Sequence, residues 1–177
     1  MRKTLIVIDM QNDFIDGVLG SDASAAIIPK VKEKIKKYIS NGDEVIFTRD
    51  THDNDDYLST NEGIHLPIPH CNAGSYGWEV HKDLDIPECE HVNKFTFGYP
   101  DWELTVNDRG GWSERNFYEV EIVGLYLDIC VLANAILIKT YFPDVEVTVD
   151  ASCCAGTTPE AYDAALTIMK SCHINVV

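Results

Sequence analysis

One cysteine stands where an apolar run gives way to a helical pattern. Cys130 lies in the stretch GLYLDICV, after a predicted strand that ends at Gly124 and at the start of a predicted helix. A thiol at a helix N-terminus is close to the positive end of the helix dipole, which lowers the thiol pKa and favours the reactive thiolate. The same turn directs backbone N–H groups toward a developing oxyanion. These features indicate a nucleophile, although a lone cysteine is more typical of an apolar core.

Two other residues would supply the proton acceptor and the cation that thiolate chemistry needs. Asp9 ends the first apolar run of the chain, and Lys94 follows a short predicted strand. A carboxylate accepts the thiol proton, and an ammonium group stabilises the resulting charges. Either residue alone is typical of an ordinary surface. The combination of Asp9, Lys94 and Cys130 predicts a catalytic site.

A second group of residues has the composition of a metal site. The stretch RDTH places Asp50 and His52 two residues apart, and LPIPHC adds His70. One carboxylate and two imidazoles suit a divalent ion such as Zn, Mn or Fe and leave positions open for water or substrate. His65 is a weaker candidate ligand. It lies four residues after Asn61, and Asn61 does not favour a helix. A hydrogen-bonded loop cluster without metal fits the same spacing.

The elements that must position these residues alternate between strands and helices. Buried apolar runs predict six strands, at 4–8, 44–48, 92–95, 119–124, 145–149 and 174–177. Helical spacing predicts three helices, at 24–39, 130–141 and 159–170. Residues 49–78 have no periodicity and are predicted to form a long functional loop.

This alternation predicts an α/β protein with a mainly parallel sheet that is covered on both faces. Such sheets place their sites at the carboxyl ends of the strands. Asp9, Asp50 and Cys130 each come just after a predicted strand, so we expect all three at one edge of the sheet. The chain shows no repeat or linker, and residues 1–177 are expected to form a single domain.

Composition limits the partners and the compartment. The 177 residues include 14 Lys and Arg against 29 Asp and Glu, for a formal net charge of -15. This charge disfavours nucleic acid and anionic membranes as partners and leaves a small-molecule substrate as the expected one. The first residues lack a signal-peptide pattern, no apolar stretch reaches membrane-spanning length, and the six cysteines lack the regular spacing of a disulfide framework. We therefore expect reduced thiols and a cytoplasmic location.

Five motifs occur in an order that resembles a known family. VIDMQNDF, TRDTH, LPIPHCNAGSYGWEVH, NKFTFGY and GLYLDICV are similar to segments of the nicotinamidase and isochorismatase-like cysteine hydrolase superfamily. The resemblance runs from Lys3 to about Ala165, and five ordered motifs are more specific than any single one. It implies a three-layer α/β/α fold, doubly wound around a mainly parallel sheet of about six strands.

The resemblance also implies roles for individual residues. The triad of the family falls on Asp9, Lys94 and Cys130. The metal ligands of the family, which bind a divalent ion, fall on Asp50, His52 and His70.

Around the nucleophile, the resemblance implies a non-proline cis peptide between Leu125 and Tyr126. This bond would aim the N–H groups of Tyr126 and Cys130 at an oxyanion. The substrate pocket is expected to include Phe14, Leu125 and Tyr126.

The chain departs from the family pattern at the pocket. Nicotinamidases usually have a Trp three residues before the last metal-binding His, where it stacks on the pyridine ring, and this chain has Pro67 there. One aromatic wall is therefore missing. Tyr126 replaces the usual small residue of the cis bond, and Leu127 replaces a common Thr. Four aromatic residues are candidates to replace the wall: Trp78, Tyr99, Trp102 and Tyr126.

The resemblance implies hydrolysis of a small amide through a cysteine thioester, with nicotinamide as the leading substrate. Another small amide or carbamoyl compound is the alternative substrate class. Isochorismate cleavage is less favoured, because that reaction does not use the cysteine. A redox-sensing or binding protein on the same fold, with Cys130 or Cys153 and Cys154 as its switch, is a different class. Family members often form dimers or larger assemblies, so a homo-oligomer is expected.

Overall fold

The fold is known from a computed structural model that describes residues 3–53, 55–107 and 119–177. The strands are β1 (Lys3–Ile8), β2 (Glu44–Asp50), β3 (Glu90–Lys94), β4 (Glu119–Leu125), β5 (Glu146–Ala155) and β6 (Asn175–Val176). The helices are α1 (Asn12–Ile15), α2 (Asp22–Ala26), α3 (Ile28–Ser40), α4 (Asn61–His65), α5 (Trp102–Asn107), α6 (Leu132–Tyr141) and α7 (Pro159–Ser171). All six predicted strands are present, and none of the helices in these ranges is long and apolar enough to cross a membrane.

The strands form one parallel sheet in the order β3-β2-β1-β4-β5-β6. The chain winds outward from β1 to β3 on one side and then returns to β4, on the other side of β1. The strand order therefore reverses between β1 and β4. Crevices for ligands form at the carboxyl ends of the strands at such a reversal. Asp9 directly follows β1, and Cys130 follows β4, so both residues border this crevice.

Side chains of β1 alternate between two apolar cores, one on each face of the sheet. Ile6 and Ile8 are buried in the core shared with α6 and α7. Leu5 and Val7 are buried in the core shared with α3. Successive residues of a strand point to opposite faces, so a strand buried on both faces reads as a continuous apolar run. The predicted three-layer architecture is confirmed.

The helix predicted at 24–39 is two helices. Ser21 caps α2 by accepting a hydrogen bond from the backbone N–H of Ser24, and the chain turns at Ile27 before α3 begins. Pro29 explains the division, because proline lacks the N–H that would continue a helix and is favoured in a first turn. The predicted stop is correct: α3 ends before Gly42, whose φ is 74°.

The long loop predicted at 49–78 contains regular structure. β2 extends into it as far as Asp50, and a 3₁₀ turn at Tyr57–Ser59 leads into α4. Thr60 caps α4 by accepting a hydrogen bond from the N–H of Gly63. The prediction that Asn61 does not favour a helix is wrong, since α4 begins there. α1 and α5 were also not predicted, because four to six residues are too few to show helical periodicity.

Cys130 lies within a π-helical turn, Leu127–Val131, that precedes α6. The observed helical segment therefore begins at Leu127, about one turn before the predicted start at residue 130, and continues into α6. The peptide bond between Leu125 and Tyr126 is cis, as the family resemblance implied.

Candidate active site

Asp9 is a fully buried carboxylate at the carboxyl end of β1. The Thr48 hydroxyl donates to Asp9 Oδ1 at 2.6 Å and accepts from the Asp9 backbone N–H at 3.1 Å. Asp9 Oδ2 lies 2.8 Å from Lys94 Nζ, but has no well-aligned hydrogen-bond donor among the described residues. The contact is therefore an ion pair, and lone pairs of Oδ2 remain available to accept a proton.

Lys94 lies at the centre of the site and contacts four of its groups. Its side chain is fully buried, and its Nζ lies 2.9 Å from Asp50 Oδ1, 3.6 Å from Cys130 Sγ and 3.2 Å from the Thr96 carbonyl oxygen, in addition to Asp9. Burial alone would lower the pKa of Lys94. The negative charges of Asp9 and Asp50 outweigh burial and raise this pKa well above its usual value. Lys94 is therefore an ammonium ion at neutral pH.

The Cys130 thiol differs from the sequence-based expectation. Burial raises its pKa well above the usual value, and the charges of Asp9 and Asp50 add to the increase, although Lys94 acts in the opposite direction. The expected stabilisation of a thiolate by the helix dipole does not prevail, because removal of the thiolate from water is the larger effect. Burial also raises the pKa of Asp9 despite the neighbouring Lys94. Cys130 therefore rests as a thiol.

The three predicted ligands come together around one carboxylate. Asp50 Oδ2 lies 3.0 Å from His52 Nε2 and 3.5 Å from His70 Nε2. Glu62 Oε1 lies 3.7 Å from His52 Nε2 and 3.8 Å from His70 Nε2. The four ligand atoms all lie within 4.8 Å of one another. Two imidazole nitrogens and two carboxylate oxygens form a donor set that suits Zn, Mn or Fe.

The imidazole of His70 is oriented by its other nitrogen. His70 Nδ1 lies 2.8 Å from the Ile68 carbonyl oxygen, so Nδ1 carries a proton and the ring turns Nε2 toward the cluster. The rings of His52 and His70 meet edge to face, with centroids 4.7 Å apart. His65, the weaker candidate, is exposed and bonds the Asn61 carbonyl oxygen instead. It lies outside the cluster.

Glu62 was missed by the sequence reasoning. It belongs to α4, whose position depends on a close approach at Gly63. A Cβ atom at Gly63 would lie 2.0 Å from the Tyr57 carbonyl oxygen, so only glycine lets α4 pack on the preceding 3₁₀ turn. The cap formed by Thr60 was the available signal, since Thr is among the residues favoured at a helix N-cap.

Asp50 belongs to both groups of residues. Its Oδ1 contacts Lys94, and its Oδ2 contacts His52 and His70. Burial would raise the pKa of Asp50, but Lys94 and the two imidazoles outweigh burial and lower it. One carboxylate therefore joins the thiol site to the candidate metal site.

A cavity of about 340 Å³ opens onto both groups. Its lining includes Cys130, Asp50, Glu62 and His70, together with the three predicted pocket residues Phe14, Leu125 and Tyr126. Phe97 also lines the cavity and was not predicted. Pro67 is exposed and is not part of the lining.

Of the four candidates to replace the missing wall, only Tyr126 lines the cavity. Its hydroxyl donates to the Leu19 carbonyl oxygen, and its ring meets Phe14 edge to face at 5.6 Å. Trp78 lies under Arg49 and bonds the Thr51 hydroxyl. Trp102 is fully buried and packs against Tyr99. These three rings support the structure around the site rather than the cavity wall.

The sequence profile of the isochorismatase domain matches residues 3–177. The chain belongs to this family. Among its relatives, the nicotinamidase/pyrazinamidase of Mycobacterium tuberculosis is 29% identical over 189 residues, covering 99% of this chain and 98% of that protein. The nicotinamidase of Saccharomyces cerevisiae is 27% identical over 214 residues and covers 99% of both chains.

Solved structures of the family share the fold over the whole chain. The nicotinamidase/pyrazinamidase of Bacillus subtilis superposes with a TM-score of 0.84 at 27% identity, covering 100% of both chains. The pyrazinamidase of Pyrococcus horikoshii, solved in complex with zinc, superposes with a TM-score of 0.83 at 28% identity, covering 100% of this chain and 99% of that one.

Proposed function

We propose that this chain is an amidase that hydrolyses nicotinamide to nicotinate and ammonia, with Cys130 as nucleophile. The observation that carries the proposal is the position of Lys94 Nζ, which contacts Asp9, Asp50 and Cys130 Sγ in one buried cluster beside the cavity. Relatives that cover almost the whole chain and are named nicotinamidases support the choice of substrate.

The first half of the reaction forms a thioester. Asp9 accepts the thiol proton, and the Cys130 sulfur bonds to the amide carbon. Lys94 keeps its proton and stabilises the negative charge that moves between the sulfur and Asp9. The backbone N–H groups of Tyr126 and Cys130 hold the oxyanion of the tetrahedral intermediate. Asp9 then gives its proton to the leaving nitrogen, the C–N bond breaks, and ammonia departs.

The second half restores the thiol. Asp9 removes a proton from water, the water oxygen bonds to the thioester carbon, and the carbon–sulfur bond breaks. The proton held by Asp9 returns to Cys130. The raised pKa of Asp9 suits both halves, because a carboxylate with a higher pKa is a stronger base and still a competent acid.

Asp50, His52, Glu62 and His70 would hold the divalent metal ion, with Zn, Mn and Fe all compatible with this donor set. When bound, the ion supplies a Lewis acid that orients the substrate at the cavity. The four ligand atoms lie within 4.8 Å of one another, and three of the four residues, Asp50, Glu62 and His70, line the cavity.

A second substrate class is favoured by one observation. Pro67 leaves the cavity without the ring-stacking Trp of nicotinamidases, so a small aliphatic amide or carbamoyl compound also fits. A redox switch at Cys153 and Cys154 is less favoured, because the two thiols are buried on opposite faces of the sheet and do not face each other.

A cytoplasmic location and a homo-oligomeric assembly are further parts of the proposal. The first rests on the six free thiols, and the second rests on the resemblance to a family that often forms assemblies.

Ammonia release from a panel of small amides tests the proposal. Cys130→Ala should abolish turnover while the circular dichroism spectrum and the thermal midpoint stay close to wild type. Cys172→Ala is the matched control, because Cys172 is exposed at the end of α7, and its activity should equal wild type. Wild-type rates in Cys130→Ala would exclude the covalent mechanism. Rapid turnover of an aliphatic amide without any of nicotinamide would favour the second substrate class.

A further inference from the structure

Asn134 is a fully buried polar side chain that has no part in the mechanism above. It lies on α6, about one turn after Cys130. Its Nδ2 donates to the Cys130 carbonyl oxygen at 2.7 Å and to the Phe97 carbonyl oxygen at 3.2 Å. Its Oδ1 accepts from the Tyr99 backbone N–H and from Trp102 Nε1, each at 2.9 Å. The side-chain amide therefore uses both of its donors and both of its lone pairs.

These four partners fix the orientation of the Asn134 amide. The two carbonyl oxygens can only accept a hydrogen bond, and the two N–H groups can only donate one, so a flipped amide would meet four mismatched partners. A carboxylate at this position would lack donors, and a hydroxyl would offer a single one. Among short side chains, only the amide of asparagine satisfies the whole set.

The amide joins two segments that the sheet connects only indirectly. Lys94 ends β3 and Cys130 follows β4, and β2 and β1 lie between these two strands. With neighbouring strands about 4.8 Å apart, β3 and β4 are separated by about 14 Å. Small changes of twist in the intervening strands would move Lys94 relative to Cys130. The hydrogen bonds of Asn134 connect the segment 97–102 directly to the turn that carries Cys130, without passing through the sheet.

The ammonium group of Lys94 is tied to the same segment. Lys94 Nζ donates to the Thr96 carbonyl oxygen at 3.2 Å, and the Thr96 hydroxyl donates to the Gly98 carbonyl oxygen at 2.6 Å. A Cβ atom at Gly98 would lie 2.4 Å from Leu137 Cδ1, so the segment lies close against α6. A shift of the segment away from α6 would carry Lys94 Nζ away from Cys130 Sγ.

We propose that Asn134 is a positioning residue that sets the 3.6 Å spacing between Lys94 Nζ and Cys130 Sγ. The inference rests on the proposed amidase function, because Cys130 is the nucleophile of that reaction. Burial raises the pKa of the Cys130 thiol, and the charge of Lys94 acts against burial. At an effective dielectric constant of about 20, an increase of the spacing to about 5 Å would reduce the thiolate fraction about tenfold.

Two substitutions separate the bridge from the contact with Cys130 alone. The hydroxyl of Asn134→Ser can still donate to the carbonyl oxygen four residues earlier, but it is too short to reach the segment 97–102. Asn134→Ala makes neither contact. Both variants leave space for a water molecule at the freed polar groups, so both should fold. Ile138→Ala is the control for a general loss of stability, since Ile138 is an apolar residue that is fully buried on the same helix.

The first test measures the rate at which iodoacetamide alkylates Cys130 at pH 8, with peptide mass spectrometry to separate the six cysteines. Only the thiolate reacts, so this rate follows the thiolate fraction. The rate should fall about tenfold in both Asn134 variants, whereas the exposed Cys172 should react as in the wild type. Ile138→Ala should lower the thermal midpoint but keep the wild-type rate at Cys130.

Three results of this test would overturn the proposal. The first is a wild-type or faster rate at Cys130 in both Asn134 variants. The second is a wild-type rate in Asn134→Ser alone, which would mean that the contact with the Cys130 carbonyl oxygen is sufficient without the bridge. The third is an equal loss of rate in Ile138→Ala, which would mean that the rate follows stability.

Turnover supplies the second test and separates this inference from the proposed function. Alkylation requires no substrate, so it decides the role of Asn134 even if the wild type releases no ammonia from nicotinamide. Where the wild type does turn over, kcat should fall about 10-fold to 100-fold in both Asn134 variants, because a small misplacement of reacting groups is costly. KM should change less than about threefold, since Asn134 does not line the cavity. A raised KM at an unchanged kcat would place the effect of Asn134 on substrate binding and overturn the proposal.

Discussion

Replacement of Lys94 by methionine is the most informative single perturbation of the site. Methionine keeps most of the length and volume of the side chain and removes only the ammonium group. The change leaves Asp9 and Asp50 as two buried carboxylates whose oxygens had been 2.8 Å and 2.9 Å from Nζ. Both carboxylates are more than nine-tenths removed from solvent. We expect a large loss of stability from this one group.

The magnitude follows from the geometry. At these separations each pair has a gross attraction of about 6 kcal/mol for an effective dielectric constant of about 20. Most of this attraction only offsets the loss of hydration of the charges. Removal of one partner from a buried ion pair usually destabilises a protein by about 3–5 kcal/mol, because a charge is left uncompensated. We therefore expect the free energy of unfolding of Lys94→Met to fall by about 3–5 kcal/mol at pH 8.

The loss should shrink as the pH falls. Without Lys94, burial holds the pKa of Asp9 in the folded protein above its unfolded value of about 3.9 and above its value in the wild type. A carboxyl group with a raised folded pKa binds a proton in the folded state before it does so in the unfolded state, so low pH stabilises the fold. The difference between wild type and Lys94→Met should therefore be smaller at pH 5 than at pH 8.

Urea denaturation followed by tryptophan fluorescence, with a chelator present, measures both effects. With a slope of about 2 kcal/mol per molar urea, the midpoint should fall by about 1.5 to 2.5 M at pH 8. Lys32→Met is the control, because the Lys32–Asp83 pair is exposed and 3.4 Å apart, and it should change stability by less than about 1 kcal/mol. A loss no larger than that of the control, or a loss that grows as the pH falls, would refute the reasoning.

Two further predictions concern the candidate metal site and the surface of the sheet. Glu62→Gln should weaken zinc binding about 10-fold to 100-fold in a competition titration, whereas His65→Gln on the same helix should leave zinc affinity unchanged; equal effects would place Glu62 outside the site. Asp150→Asn should reduce the free energy of unfolding by about 1.5–3 kcal/mol at pH 7, because the carboxylate is paired with Lys34. Burial acts to raise the pKa of Asp150, but hydrogen bonds from Lys34 and Ser152 outweigh burial and lower it. Its contribution is therefore fully present above the unfolded pKa of about 3.9 and is lost as the pH falls through the lower folded pKa. The stability difference between Asp150→Asn and wild type should accordingly vanish in acid; a constant difference from pH 7 to pH 3 would contradict this assignment.

The sheet and the edge that carries the site were predictable because apolar runs record burial directly. Residues 5–8 of β1 and 122–125 of β4 are buried and appear in the sequence as continuous runs without a charged residue. A parallel sheet then requires Asp9 and Cys130 to lie at the same edge. The family resemblance added which polar residues at this edge belong together. These inferences depend on local pattern and on chain order, and both are visible in a sequence.

The features of the site that the sequence did not predict depend on contacts between distant segments. The raised pKa of Cys130 follows from burial and from the charges of Asp9 and Asp50, which a local helix pattern does not reveal. Phe97 lies on a segment without apolar periodicity and is positioned by Asn134, 37 residues further along the chain. Glu62 belongs to a five-residue helix that is too short for a hydrophobic period.

The two oxygens of Asp50 restrict how this site can change. One oxygen faces the ammonium of Lys94 and the other faces the imidazoles of His52 and His70. A longer side chain at this position would move both oxygens, so it would disturb the thiol side and the ligand side in a single step. If the proposed metal ion binds here, a substitution of Asp50 would change the ligand set and the surroundings of Cys130 together. We expect variation in metal preference to enter through Glu62, on its separate short helix, while position 50 tolerates the fewest substitutions in the site.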